Sequence, residues 1–257
     1  MRIINILSKK SLSVNILLAI GIASATLLFY GYLVERSTGT IIVSIPEKGA
    51  VIFLDDKRVD TTARYGQTVT LKRLRAGDHS VLVYTQGFFP WEKTLGVRKN
   101  ETTEVSAFFV KQDISPTKIF DEEYSAVSVL FEKKRSDIKR SWSREVEIRK
   151  NAGEIAARWI GDASSLPFYF CDKNSCGDST VVFRAQDGDI SAFDFYPGRE
   201  DVVLFALQNA IYAIEIDKRG IQNFQPLYAG ASPDFVIKEG TSIIYIKDAG
   251  SLLRAQL

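Results

Sequence analysis

The hydrophobic rhythm of the chain changes twice along its 257 residues. Leu12 to Val34 holds no charged side chain over 23 positions. As a helix rising about 1.5 Å per residue it would extend roughly 35 Å, enough to cross a bilayer core. From Gly39 to Val110 the rhythm shortens to about seven segments rich in Val, Ile, Thr, Phe and Tyr, parted by turn residues every 8 to 12 positions. Within the first, Ile41, Val43 and Ile45 point one way and Ile42 and Ser44 the other. In the fifth, His79, Val81 and Val83 alternate with Ser80, Leu82 and Tyr84, which places His79 near a strand end at an edge or surface. This spacing predicts a small β-sandwich over 39–110. The polar, proline-ended stretch Lys111 to Pro116 marks the boundary after it, with a linker over 111–117.

The third rhythm repeats itself. Phe195-Tyr196-Pro197-Gly198, Val202 to Phe205 and Ile211 to Ile214 are echoed about 40 residues on by Phe235, Ile243-Ile244-Tyr245 and Leu252-Leu253. A period near 40 with three or four strands per unit predicts propeller-blade-like antiparallel β repeats over 118–257. There is room for about three units, hence an incomplete propeller, and Trp159 with Phe168-Tyr169-Phe170 falls in an earlier, distorted unit. Such an array is expected to be an open one capped by Glu132 to Lys150, whose Trp142, Val146 and Ile148 can cover one apolar face. Completion by another copy or partner, and truncation from a longer parent, are the rival readings. The expected fold class is therefore mainly β behind an N-terminal transmembrane helix.

Charge fixes the orientation of that helix. Arg2, Lys9 and Lys10 precede the apolar run, while Glu35 and Arg36 nearly cancel after it. The positive-inside bias then makes 1–11 a cytoplasmic tail, 12–34 a single-pass cell-membrane anchor, and everything beyond it extracytoplasmic. A cleaved signal peptide is the rival, because Ala23-Ser24-Ala25 fits a small-x-small site, but cleavage there would leave Leu27-Leu28-Phe29-Tyr30 as an apolar terminus. Ala19, Gly21, Ala23 and Ala25 are small enough to favour helix dimerisation and are equally ordinary membrane-helix composition.

Net charge of +2 gives no support to a nucleic-acid partner, which needs a strongly basic domain. Glu132 to Lys150 carries eight Lys or Arg against four Asp or Glu. This stretch either meets anionic lipid heads or cell-wall polymers, or is a solvated face with Trp142 and Val146 turned inward. One histidine excludes multi-histidine zinc chemistry. Cys171 and Cys176 lie five positions apart across a turn, where a disulfide closing a small loop is favoured over free thiols. A metal site would lack a histidine or a second cysteine pair. Asp172, Asn174 and Asp178 lack the register and later bidentate Glu of a calcium loop.

No Gly-x-Ser-x-Gly elbow, phosphate loop or zinc motif is present. The carboxylates of Asp121-Glu122-Glu123 and Asp187/Asp189 sit in expected turns, and adjacency alone does not give the opposed geometry of a glycosidase. No catalytic, cofactor-binding or metal-binding residue is therefore assigned. The dense aromatic cluster Phe88-Phe89-Pro90-Trp91 makes Phe88, Phe89 and Trp91 the candidate partner contacts, as a platform for protein or glycan, with core and rim packing as the alternative.

Family resemblance enters at Gly39-Thr40, Ser44-x-Pro46, Gly49-Ala50, Val51-x-Phe53-Leu54-Asp55, Arg75-Ala76-Gly77-Asp78-His79-x-Val81 and Gly87-Phe88. Over about 70 residues this order resembles PEGA domains, with Pro46-Glu47-Lys48-Gly49-Ala50 as the naming motif plus one inserted lysine. Asp56 replaces the usual turn glycine and Thr61-Thr62 the usual Thr-Pro. The later repeats resemble TolB-like and WD40-like propellers, without their Gly-His or Trp-Asp signatures. The resemblance implies small extracellular β modules and brings no catalytic residues. The expected function is that of a membrane-anchored envelope protein that presents β modules to a protein or polysaccharide without catalysis. Its expected partners are membrane lipid through the N-terminal helix, an envelope protein or polysaccharide, and, in a homo-oligomer, a second copy of itself. The alternatives are a glycosidase-like enzyme processing envelope polymers, or an outside-facing ligand sensor whose inner portion of about eleven residues is too short for a signalling domain.

Overall fold

The computed structural model describes residues 18, 20–27, 38–62, 66–133, 135–151, 153–172 and 175–257. Residues 18 and 20–27 are helical and exposed. Among the described residues no helix is long and apolar enough to cross a membrane. The expected single-pass anchor and its cell-membrane location are corrected on that ground. The remainder of the 12–34 span and the 1–11 tail lie outside the described residues.

The first module consists of β1 (Thr38–Ile45), β2 (Val51–Leu54), β3 (Lys57–Thr62), β4 (Gln67–Arg75), β5 (Gly77–Tyr84), β6 (Trp91–Val97) and β7 (Thr102–Ser106). They form two sheets, β4-β1-β7 and β3-β2-β5-β6. β1 runs antiparallel to β4 and parallel to β7. The alternation read in the sequence fixes the inward faces: Ile41, Val43 and Ile45 from one sheet meet Ile52, Val81, Val83 and Leu95 from the other, all buried. At the β2–β3 turn Asp55 and Asp56 have φ of 49° and 62°. Two successive positive φ values are what a two-residue hairpin turn requires, and Asp accepts them at lower cost than most residues, so Asp56 stands in for a glycine.

The second module holds β8 (Thr117–Lys118), a helix over Asp121–Glu132, and then β9 (Ile138–Arg140), β10 (Val146–Asn151), β11 (Glu154–Trp159), β12 (Ser179–Arg184), β13 (Ile190–Phe195), β14 (Val202–Leu207), β15 (Ala210–Glu215), β16 (Phe224–Ala229), β17 (Asp234–Ile237), β18 (Ile243–Asp248) and β19 (Ser251–Gln256). These strands make three four-stranded antiparallel sheets: β9–β12, β13–β16, and β17–β19 joined by β8. β14 to β18 is a step of 41 residues, Val202 to Ile243, and so is β15 to β19, Ala210 to Ser251. The first sheet breaks the step, because β11 ends at Trp159 and β12 starts only at Ser179.

The expectation of an incomplete propeller is corrected: among the described residues the strands fall into separate sheets and no closed propeller forms. Packing explains this. β14 is buried on both faces, with Val202, Leu204 and Ala206 joining a core shared with the first module and Val203 and Phe205 joining a core shared with the first sheet. The third sheet turns Tyr245 and Leu252 to Val127 of the helix. Positions where a further repeat would pack are thus occupied by unlike elements. The expected cap is corrected too, since Glu132 to Lys150 forms β9 and β10 with Val146 and Ile148 in the core, and Trp142 is 76% exposed at the tip between them. The helix Asp121–Glu132 covers a face instead. Between the modules Ile114 is buried and Lys111 Nζ donates to the Gln256 carbonyl at 3.1 Å.

Candidate functional site at the module junction

The junction is built on the alternation of β6. Trp91, Lys93, Leu95 and Val97 share its inward phase and all four are buried. A lysine in that phase needs an acid. Lys93 Nζ donates to Glu215 Oε1 and, at 2.9 Å, to the Asp217 carbonyl, while the Asp217 carboxylate stands at 3.8 Å. Glu215 Oε1 also accepts from Asn223 N at 2.7 Å and Asn223 Nδ2 at 2.9 Å, and Oε2 accepts from Trp91 Nε1 at 3.3 Å. Burial pushes the Glu215 carboxyl above its usual range, against the opposing pull of Lys93 and Asn223.

Asn223 also reaches back to the strand. Its Oδ1 accepts from Glu92 N at 3.2 Å and its Nδ2 donates to Glu92 O at 2.9 Å, so one side-chain amide pairs with the outward main-chain groups of an edge strand. Two residues along β6, Gly220 lies against the Thr94 backbone. Its φ is +66°, and a Cβ there would stand 2.2 Å from the Thr94 carbonyl oxygen. Only glycine allows both the left-handed backbone and the approach.

Beside this buried cluster a cleft of about 720 Å³ opens between β6, β7 and the loop closed by Cys171 and Cys176. Gly96, Arg98 and Glu104 line it from the first module and Phe168, Asp172 and Arg219 from the second. Arg219 is held from three sides: Asp217 accepts from Nε at 3.0 Å and Nη2 at 2.8 Å, the Glu104 carbonyl accepts from Nη2, and the guanidinium carbon lies 4.9 Å from the Phe168 ring centre. The cleft is therefore lined by both modules, with Arg219 linking Asp217 and Phe168 of the second to the Glu104 carbonyl of the first.

The residues singled out in the sequence divide between these features. Cys171 and Cys176 are joined by a disulfide and line the cleft. Trp91 is 1% exposed and donates to Glu215, which removes it from any partner-facing surface. Phe88 and Phe89 pack against the same core, Phe88 meeting Phe109 edge-on at 6.0 Å. The aromatic cluster and the cysteines are thus on different parts of the junction. Asp187 and Asp189 are exposed, and Glu123 in the first helical turn accepts from Tyr245 Oη and Arg254.

His79 stands at 2.7 Å from Asp55 through Nδ1 and at 2.8 Å from the Arg75 carbonyl through Nε2. Burial lowers its pKa, but the bonds to Arg75 and Asp55 outweigh that and the net direction is up. With both nitrogens engaged it has no lone pair to offer a substrate. Among the described residues no three His, Cys, Asp or Glu side chains converge as a metal site.

Lys93, Glu215, Asp217 and Asn223 escaped the sequence reading. The signal was there: Lys93 falls in the apolar phase between Trp91 and Leu95, Glu215 interrupts the apolar run from Ala210 to Ile216, and Asp217 ends it. Charges placed where neighbours are buried imply partners.

No curated protein matches this chain. The PEGA domain family matches residues 38–113, spanning β1 to β7, and does not extend to the three later sheets. Residues 38–113, the two-sheet module that carries Trp91 and Lys93, are a PEGA domain.

Proposed function

We propose that the protein is a non-catalytic binding and scaffolding protein, in which the PEGA domain and the three-sheet module together present the junction cleft to a protein or polysaccharide partner. The observation that carries this reading is the construction of the cleft. Its lining comes from both modules, and the lining residue Arg219 is held in place by Asp217, Glu104 and Phe168. Concave sites that set a few fixed charges among apolar surface suit recognition of a ligand. A second copy of the chain remains among the partners proposed.

The test is titration of the full-length chain with a panel of soluble neutral and acidic polysaccharides and with a library of unstructured peptides. Saturable binding that Arg98→Glu weakens at least tenfold is expected, because Arg98 lines the cleft and is 63% exposed. Hydrolysis of a polysaccharide by the chain, or binding indifferent to Arg98→Glu, overturns the reading.

A further inference from the structure

Lys93 and Asn223 are placed for more than an ion pair. Lys93 Nζ and Asn223 Nδ2 donate to the same oxygen, Glu215 Oε1, the amide at 2.9 Å. The site is dry: Lys93 is 0%, Glu215 2% and Asn223 7% exposed. On the far side of the amide the Glu92 N–H donates to Asn223 Oδ1 at 3.2 Å, and Trp91 Nε1 holds the second oxygen of Glu215. An amine, a carboxamide and a carboxylate that touches both therefore share one closed pocket, with the amide carbonyl already polarised by a main-chain donor.

We propose that Lys93 and Asn223 join in an intramolecular isopeptide bond that ties the PEGA domain covalently to the three-sheet module, with Glu215 carrying the protons. The reaction goes beyond the binding function and does not depend on it. Glu215 takes a proton from the Lys93 ammonium, which leaves a neutral amine in a desolvated site, where lysine is nucleophilic. The nitrogen lone pair attacks Asn223 Cγ, and the carbonyl pair moves to Oδ1, where the Glu92 N–H meets the developing charge. Glu215 then delivers its proton to Nδ2 and accepts the second proton of Nζ as the intermediate collapses.

The Nζ–Cγ bond forms, the Cγ–Nδ2 bond breaks, and ammonia leaves with the proton delivered by Glu215, which ends protonated with the second proton of Nζ. Ammonium, carboxylate and carboxamide give secondary amide, carboxylic acid and ammonia, so atoms and charge balance without oxidant, cofactor or second substrate. Burial, which pushes the Glu215 carboxyl up, favours its acceptance of the lysine proton. The reaction also resolves the cost of a fully buried lysine charge at a domain junction, because the product is neutral.

Mass spectrometry of the purified full-length chain tests this without any variant. The expected intact mass is lower than that of the sequence with its Cys171–Cys176 disulfide by one ammonia, about 17 Da for the loss of a single amide nitrogen in covalent aminolysis. Digestion should yield a branched peptide joining the Lys93 segment to the Asn223 segment. Glu215→Gln should restore the full mass and two linear peptides. A wild-type chain of full mass, or a loss of ammonia mapped to any other residues, overturns the bond. Retention of the branched peptide in Glu215→Gln overturns the role given to Glu215. Should that variant fail to fold, the wild-type digest alone decides.

Discussion

Replacing Gly220 by alanine should separate the contribution of the module junction from that of the turn itself. Two costs add at this position. The first is conformational: φ is +66°, and a Cβ in the left-handed region costs about 1–2 kcal/mol. The second is steric: the new Cβ would stand 2.2 Å from the Thr94 carbonyl oxygen and 3.0 Å from its carbonyl carbon and nitrogen. These are backbone atoms of β6, so no rotamer change relieves the contact and the loop from Asp217 to Asn223 must lift away from the PEGA domain. Forcing extra carbon into such packing costs about 1–3 kcal/mol. Gly240 supplies the control: its φ is +70° and a Cβ added there would meet nothing within 4 Å, so Gly240→Ala carries the first cost alone. Equilibrium unfolding in guanidinium should show Gly220→Ala about 1–3 kcal/mol less stable than Gly240→Ala. Equal losses would refute the close approach of the two modules at Thr94.

Trp91→Ala should lower stability by about 3–5 kcal/mol, as for a large buried aromatic side chain, whereas Trp142→Ala should change it by no more than about 0.5 kcal/mol. Paired melts check this, and a mild Trp91 variant would contradict its place in the junction core. His79 has a folded pKa above the ordinary 6.5, so its bonds to Asp55 and Arg75 contribute stability in full below that value and lose it as pH rises through the folded pKa. Lys57 and Asp78 complete its charged surroundings. Denaturation curves measured between about pH 6 and pH 9 should lose a slope in His79→Gln, and an unchanged slope would count against the paired, protonated ring.

The PEGA domain was legible because its signal is local. Alternation within β1 and β5 and the turn at Asp55-Asp56 need only neighbours in sequence to be read. The same holds for the period that sets β14 against β18. The arrangement of the sheets was not legible, because a run such as Val202 to Phe205 reads as a doubly buried strand without naming what covers each face. One face is covered by the PEGA domain, more than 90 residues earlier in the chain, as the Ala107–Arg199 contact shows. The aromatic cluster left two readings open in the sequence, because an apolar run does not say what it packs on: Trp91 is buried beside Glu215 of the second module, while Phe88 and Phe89 stay half-buried against the core. The N-terminal run carried hydropathy without charge, a property of composition that does not specify helix length, and among the described residues no helix is long and apolar enough to cross a bilayer.

The basic stretch shows how a repeat can be read while its partners are not. Asp194 precedes Phe195 and Asp234 precedes Phe235, a step of 40 residues from one sheet to the next. In each case the carboxylate accepts from the N–H of the following phenylalanine, at 2.9 and 2.8 Å, so the two acids are equivalent by local geometry as well as by spacing. Each then takes a cation from the same short segment: Lys139 Nζ reaches Asp194 Oδ2 at 2.8 Å, and Arg135 binds Asp234 through both terminal nitrogens. These pairs are partly buried, where an unpaired carboxylate costs more than at the surface. At least three of the eight basic residues between Glu132 and Lys150 are therefore occupied inside the fold, Arg135 and Lys139 by these acids and Lys150 by the Ile190 carbonyl, joining the first sheet and its approach to the second and third. A charge excess counted along the chain overstates what is presented to an anionic surface, because the neutralising acids lie 55 and 99 residues away and in sequence belong to the repeat.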